Sequence, residues 1–382
     1  HAPNPLNFND KWSQIVNIEE GPDGAVYVND WYDKNQCHSN DANQHDRSNG
    51  RIFKISYGPN KQPSVDLRKK TDDELIQLAM DRNDWAGRHA RRILQERSER
   101  NSLLAKAVRQ QQPSGYQDED PLKKLRWLWT LHNVGGFSDV PAGISLFSRD
   151  EMVRAWAVQF TAEASVAAVN VIKEFGRLAR EDKSPVVRLY LASAMQRLPI
   201  EDRWEVVEAL SQRAEDANDH NLPLMVWYAA EPLTTKDTER ALKLAEAAKL
   251  PNILNFTVRR TAALNTPQAF AAITTSLLRV NDDTRRLDIL NGLSAALKGQ
   301  RRVAMPEGWP AVETKLAAGT NTEIRALVQS LSLTFGSANA LAELRQTLMD
   351  KSADVAARKT AFDSLLAVKD AGLPPLLRQL LN

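Results

Sequence analysis

Two hydrophobic patterns divide the chain. Over the first sixty residues the apolar positions come in short β-prone runs between polar turns. Gly21-Pro22-Asp23-Gly24 is a turn cluster, its glycines supplying the positive φ that tight turns need, and Ala25-Val26-Tyr27-Val28 follows as a strand candidate. A polar stretch rich in Asn, Asp and His runs from Asn29 to Asn49. Beyond it, Arg51-Ile52-Phe53-Lys54-Ile55-Ser56-Tyr57 carries the apolar–polar alternation of a half-buried strand. Two or three strands cannot hold a sheet alone, so this segment needs further strands or a helical body to lean on. Pro59 to Pro63 reads as a linker, and from there to the end the apolar spacing is helical. The expected organisation is a β-rich segment over 1–60 and a helical region over 61–382.

Helix starts are marked by local chemistry. Thr71-Asp72-Asp73-Glu74 has capping-box spacing, and Ser148 to Glu151 and Thr320 to Glu323 repeat it. Ser184-Pro185 and Thr266-Pro267 place a capping hydroxyl before proline at the first helical position. These signals predict about 17 to 20 helices of roughly 10–16 residues joined by brief turns. Arginines with apolar and alanine neighbours recur at Arg88, Arg154, Arg188, Arg259, Arg325 and Arg358, separated by 66, 34, 71, 66 and 33 residues. The intervals lie near one or two multiples of roughly 33–36, shorter than the roughly 40–47 of typical HEAT units. Alanines let paired helices approach, Leu, Val and Trp fill the space between layers, and an arginine starting the second helix can bond carbonyls of the preceding turn. The expected fold is mainly α: a right-handed α-solenoid of HEAT-like helix pairs preceded by a small β-strand segment.

Bulk composition narrows the function. The 382 residues are 42% hydrophobic, enough for a sizeable core, and Lys+Arg 50 against Asp+Glu 48 leaves a net charge of +2. No basic run exceeds Arg68-Lys69-Lys70, so the concentrated basic face of a nucleic-acid binder is absent. No apolar stretch is long enough for a membrane span. Cys37 is the single cysteine, which excludes an intrachain disulfide, a CxxC pair and a CxxCH haem attachment. The chain starts at His1 without signal-peptide features, and something is expected to precede it.

Three stretches carry a resemblance. Gly21 through Asp33, followed by Asn49-Gly50-Arg51-Ile52-Phe53-Lys54-Ile55, resembles the last blade of a β-propeller. Asn83-Asp84-Trp85 with Arg88-His89-Ala90-Arg91-Arg92, and Leu125-Arg126-Trp127-Leu128-Trp129-Thr130-Leu131-His132, look like a helical middle. Pro185 to Leu189, Gln196 to Pro199, and Leu222 to Tyr228 with Glu231-Pro232-Leu233, look like its continuation. Together, over roughly residues 15 to 265, they resemble the planctomycete-type membrane-bound dehydrogenase family. In those multidomain proteins a propeller similar to quinoprotein sugar dehydrogenases precedes HEAT-like repeats, and a c-type haem domain commonly follows. The resemblance implies a periplasmic or secreted location. It implies a scaffold segment of a larger enzyme, with quinone and haem c held elsewhere in the parent protein. No catalytic or cofactor-binding residue carries over, and partners are expected to be a protein or adjacent domains. Two alternatives stand beside this: part of a quinone-dependent sugar or alcohol dehydrogenase, and a free HEAT-repeat adaptor.

Two candidate sites emerge. Asp30, Asp33, Asp41 and Asp46 crowd the N-terminal polar loop, and carboxylates so grouped could hold calcium, which takes six to eight oxygens. Cys37-His38 with His45 would suit a transition metal, and a plain solvated loop accounts for the same residues. Trp227 and Tyr228, ahead of Glu231-Pro232, could offer an aromatic interaction surface, or simply pack a helix that ends at proline. His132 shares a helix face with Leu125, Leu128 and Trp129 and reads as a core histidine, and His89 as structural. Arg91-Arg92 with Glu96-Arg97 reads as a solvated, ion-paired face.

Overall fold

A computed structural model of the chain describes residues 12–33, 35, 40–46, 48–58, 65–112, 120–137, 143–163, 169–300 and 303–381. Cys37, His38 and the Pro59 to Pro63 linker lie outside the described residues. The chain divides into two compact units, His1–Phe160 and Thr161–Asn382. The last strand ends at Ile55 and the run of helical elements begins at Leu67, whereas compactness divides further on, because the strands belong with the first helices.

In the first unit β1 (Ile15–Glu20), β2 (Val26–Asp30) and β3 (Arg51–Ile55) form an antiparallel sheet in that order. The register sets Ile18 opposite Val28 and Val28 opposite Phe53. Gly24, at φ 72°, permits the tight turn between the first two strands. Val28 is buried, but Ile52 is 77% exposed: the alternation slips at Ile52-Phe53 and sends Ile52 to the opposite face. The sheet leans on the helices as expected. Glu20 accepts from the Asp84 amide at 3.0 Å and the Gly21 carbonyl from Asn83 at 3.3 Å, both at the start of a helix.

The helices here are α1 (Asp72–Ala79), α2 (Asp84–Ser98), α3 (Leu104–Gln110), α4 (Pro121–Asn133), α5 (Gly143–Leu146) and α6 (Glu151–Glu163). Their core gathers Leu75, Ile76, Leu94, Leu104, Leu128 and Leu131 around a fully buried Trp127. Trp127 Nε1 donates to the Val108 carbonyl at 2.9 Å, so the ring is buried without an orphaned donor. Thr71 and Glu74 form the capping box the sequence announced. The other two boxes shift. Asp150, not Ser148, receives the Val153 amide, and Asn321, not Thr320, receives those of Glu323 and Ile324. In each case a carboxylate or amide oxygen nearer the helix takes the role in place of the hydroxyl. Arg91 also departs from expectation. It is buried, with Nη1 on the Ala79 carbonyl at 3.1 Å and its guanidinium 5.5 Å from the Trp129 ring centroid. Arg92 keeps the expected surface pair with Glu96.

The second unit is built of successive helix pairs. They are α7 (Val169–Glu181) with α8 (Pro185–Met195) and α9 (Trp204–Ser211) with α10 (Leu222–Ala230). The single turn α11 (Leu233–Lys236) precedes α12 (Thr238–Ala247) and α13 (Ile253–Ala262). Then come α14 (Pro267–Arg279) with α15 (Asp283–Ala296) and α16 (Trp309–Ala317) with α17 (Thr322–Thr334). α18 (Ala338–Met349), α19 (Val355–Ala367) and α20 (Leu373–Leu381) finish it. Packing is sequential in two rows: α7, α9, α12, α14 and α16 touch in turn, as do α8, α10, α13, α15 and α17. Each helix also packs on its own partner, so the unit has layers and not one centre. The fold is mainly helical and repeat-like, preceded by strands.

The recurring arginine has a structural meaning. Arg154, Arg188 and Arg286 each stand four residues after the helix cap and donate to a carbonyl six residues back, on Ser148, Asp182 and Val280, at 2.9, 2.8 and 3.1 Å. Arg358, also four residues after its cap position, reaches ten residues back to the Leu348 carbonyl at 3.1 Å. Carbonyls leaving the first helix of a pair are thereby satisfied by the second. Arg88, Arg259 and Arg325 are exposed instead.

Candidate interaction surface

The N-terminal acidic loop is organised from within the chain. Asp30, buried at the end of β2, accepts from the Gln14 amide at 2.6 Å, the Tyr32 amide at 3.1 Å and Arg51 at 2.9 Å. Burial works against its charge, but these donors hold its carboxyl below the ordinary value. Asp33, 1% exposed, accepts from the amides of Asn35 and Asp46, from His45 Nδ1 and from the Trp31 indole. The Asn35 amide is the leading reason its pKa falls to about 2, against the opposing pull of burial. Asp46 turns to Ser48 and Asn49, and Asp41 accepts from the Asn43 amide. Asp41 and Asp46 thus organise their own turns, while Asp30 and Asp33 tie distant parts of the segment together. Among the described residues no group of three or more His, Cys, Asp or Glu is placed to hold a metal ion.

On α4, Leu125 and Leu128 are buried while Trp129 and His132 are half-buried. His132 stacks on Phe160 with centroids 4.1 Å apart, and Trp129 meets Trp156 edge-on at 5.4 Å. His89 lies over Trp85, its Nδ1 2.8 Å from the Trp85 carbonyl. These are packing roles.

The second unit carries a better candidate. On α10, Val226, Ala229 and Ala230 turn inward, which leaves Leu224 and Tyr228 outside, Tyr228 at 47% exposure, and Trp227 half-buried. On the neighbouring α13, Ile253, Leu254, Thr257 and Val258 are buried and Phe256 is half-buried. Trp227 and Phe256 meet with centroids 5.5 Å apart at 59°. One turn further along both helices, Arg260 reaches across to Glu231 in an ion pair. The result is a two-rung ridge: an aromatic pair, an exposed tyrosine beside it, and a charged pair closing one end. Trp227 and Tyr228 were visible in the sequence. Phe256 and Arg260 were not singled out, although each stands 29 residues after its partner, Trp227 and Glu231 respectively, so one rung offset serves both pairs.

No family model matches the sequence, and no curated protein matches it. Among solved structures, the chain is similar to an engineered protein of the Northeast Structural Genomics Consortium, at 16% identity and a TM-score of 0.36. The alignment covers 78% of this chain and 89% of that one.

Proposed function

We propose that the helical unit is a HEAT-type binding scaffold whose partner is a protein, and that the ridge of Trp227, Tyr228 and Phe256 is its contact. One observation carries the reading: large rings left half-open on adjacent rungs of a rigid layered body, edged by an ion pair. Tyrosine and tryptophan supply much contact area for little conformational entropy, and an apolar centre with a charged rim is how binding hot spots are built. Panning displayed peptides against the purified chain tests it. Recovered peptides should lose at least tenfold in affinity to a Trp227→Ala/Tyr228→Ala variant of unchanged circular dichroism. Peptides indifferent to that variant would remove the proposal.

The antiparallel three-strand sheet favours a second, contextual reading, since a propeller blade is a short antiparallel sheet of this kind. On it, the chain is the scaffold segment of an exported propeller–HEAT–cytochrome dehydrogenase. Dye-linked sugar oxidation with added quinone and Ca²⁺ discriminates: turnover by this chain alone would make it an enzyme and overturn the scaffold role.

A further inference from the structure

Rungs of the second unit are tied along one row by a recurring ion pair. Arg180 of α7 meets Glu205 of α9 at 2.8 Å. Glu246 of α12 accepts from Arg279 of α14 at 2.8 Å and from the Ser276 hydroxyl at 2.6 Å. That carboxylate is complemented twice, by a hydroxyl and by a guanidinium. At the next-to-last rung the motif returns incomplete. Glu313 of α16 has its hydroxyl, Ser337 Oγ, 2.9 Å from both carboxylate oxygens, but among the described residues no cation pairs with it. Ser337 is buried at the start of α18 and has one proton to give, so part of the carboxylate's accepting capacity is left over.

The space where the cation would stand is open. Close packing within the row joins α12 to α14 and α14 to α16, but α18 packs on α17, α19 and α20 instead. A groove of about 550 Å³ results between α16, α17 and α18, with Ala317, Ala326 and Ala340 among its lining residues. Glu313 lines it from α16, Glu343 from α18, and Arg325 from the first turns of α17. The side chains of Glu343 and Arg325 make no ion pair or hydrogen bond with any described residue.

We infer that this groove is a binding site for a basic side chain, arginine or lysine, presented by a partner peptide. The cation completes at Glu313 and Glu343 the complement that Arg279 supplies to Glu246. A charge-assisted, partly enclosed pair of this type is stronger than a neutral hydrogen bond. Arg325 gives the site a second preference, for an acidic residue beside the basic one.

The probes are acetylated, amidated glycine–alanine hexapeptides bearing one arginine, one arginine with a neighbouring glutamate, or no charge, titrated against the full chain by fluorescence anisotropy. The arginine peptide should bind at least tenfold more tightly than the uncharged one, and the arginine–glutamate peptide more tightly still. Glu313→Gln and Glu343→Gln should each weaken arginine binding at least fivefold, and Arg325→Gln should abolish only the preference for glutamate. Trp227→Ala/Tyr228→Ala should leave this binding unchanged, so the two surfaces stand or fall separately. If glutamine at 313 loosens α18, Glu343→Gln carries the test alone, because its carboxylate holds none of the described residues. Equal binding of charged and uncharged peptides, or unaltered binding by Glu343→Gln, would overturn the site.

Discussion

The buried charges of this protein are arranged so that each satisfies a specific neighbour, and this makes single substitutions informative. Arg188 and Asp216 are both nearly inaccessible and form a two-pronged pair, Nε to Oδ2 at 2.5 Å, while Arg188 Nη1 also closes on the Asp182 carbonyl. Arg188→Met leaves Asp216 buried without its cation, which costs about 3–5 kcal/mol, whereas the pair itself is worth little over a packed apolar couple. Urea unfolding should therefore show a large loss for Arg188→Met. Adding Asp216→Leu should recover stability to within about 2 kcal/mol of the parent. A double variant as unstable as the single one would contradict this. Asp33 makes a different forecast. Its folded pKa, about 2, lies below its unfolded value, so its contribution is complete above about pH 4 and disappears as pH falls through 2. Hydrogen exchange at the Asp46 amide, which donates to Asp33, should lose protection across that window. In Asp33→Asn that acid dependence should be absent.

At the scale of the helix, two glycines show how closely rungs approach. Gly292 of α15 lies against α13, and a Cβ there would meet the Asn255 carbonyl oxygen at 2.5 Å and Val258 Cβ at 3.1 Å. Alanine would gain about 0.5–1 kcal/mol of helix propensity but lose about 1–3 kcal/mol in a clash with backbone that cannot swing aside. Gly176 of α7 meets only the end of the Glu205 side chain, at 2.7 Å, and that side chain can move into solvent. Thermal melts should accordingly show Gly292→Ala lowered and Gly176→Ala unchanged or raised. The same scale explains what was legible in the sequence. The cap at Thr71 could be read from a glutamate three residues on, and those at Ser184 and Thr266 from the proline that follows each. Those near Ser148 and Thr320 were misplaced because competing cap residues, Asp150 and Asn321, stand beside them. Half of the arginine register, Arg154, Arg188 and Arg358, was readable because it repeats one local geometry, whereas Arg88, Arg259 and Arg325 share only the spacing. Arg286 escaped because it lacks the alanine neighbours used to find the others. Asp216 and Phe256 were illegible for another reason: their partners come from the next rung, and only the stacking offset brings them together.

Sequential layering also decides how damage spreads through the second unit. α18, α19 and α20 close on a small core of their own, Leu344, Leu348, Ala361, Leu365 and Leu373, and join the preceding rungs through α17 and through the Ser337 bond to Glu313 of α16. In a protein with one centre, a hole in any core lowers the stability of every element. In a stack, each rung answers to its own interior and its neighbours, so an opened terminal rung leaves distant ones protected. Leu365 is fully buried, and Leu365→Ala should cost about 2–5 kcal/mol. Native-state hydrogen exchange by mass spectrometry locates that loss. Amides of α18 to α20 should exchange faster by orders of magnitude, those of α17 somewhat faster, and those of α8, α10 and α13 at the parental rate. Uniform acceleration across all of these helices would mean that the unit folds as one cooperative body. The ridge on α10 and α13 would then lose its independence from the groove at α16 to α18. Retained protection at α10 and α13 means that a partner held by the distal groove can strain or even open the last rung without disturbing the aromatic contact. That local independence lets a layered protein carry two binding surfaces with separate affinities.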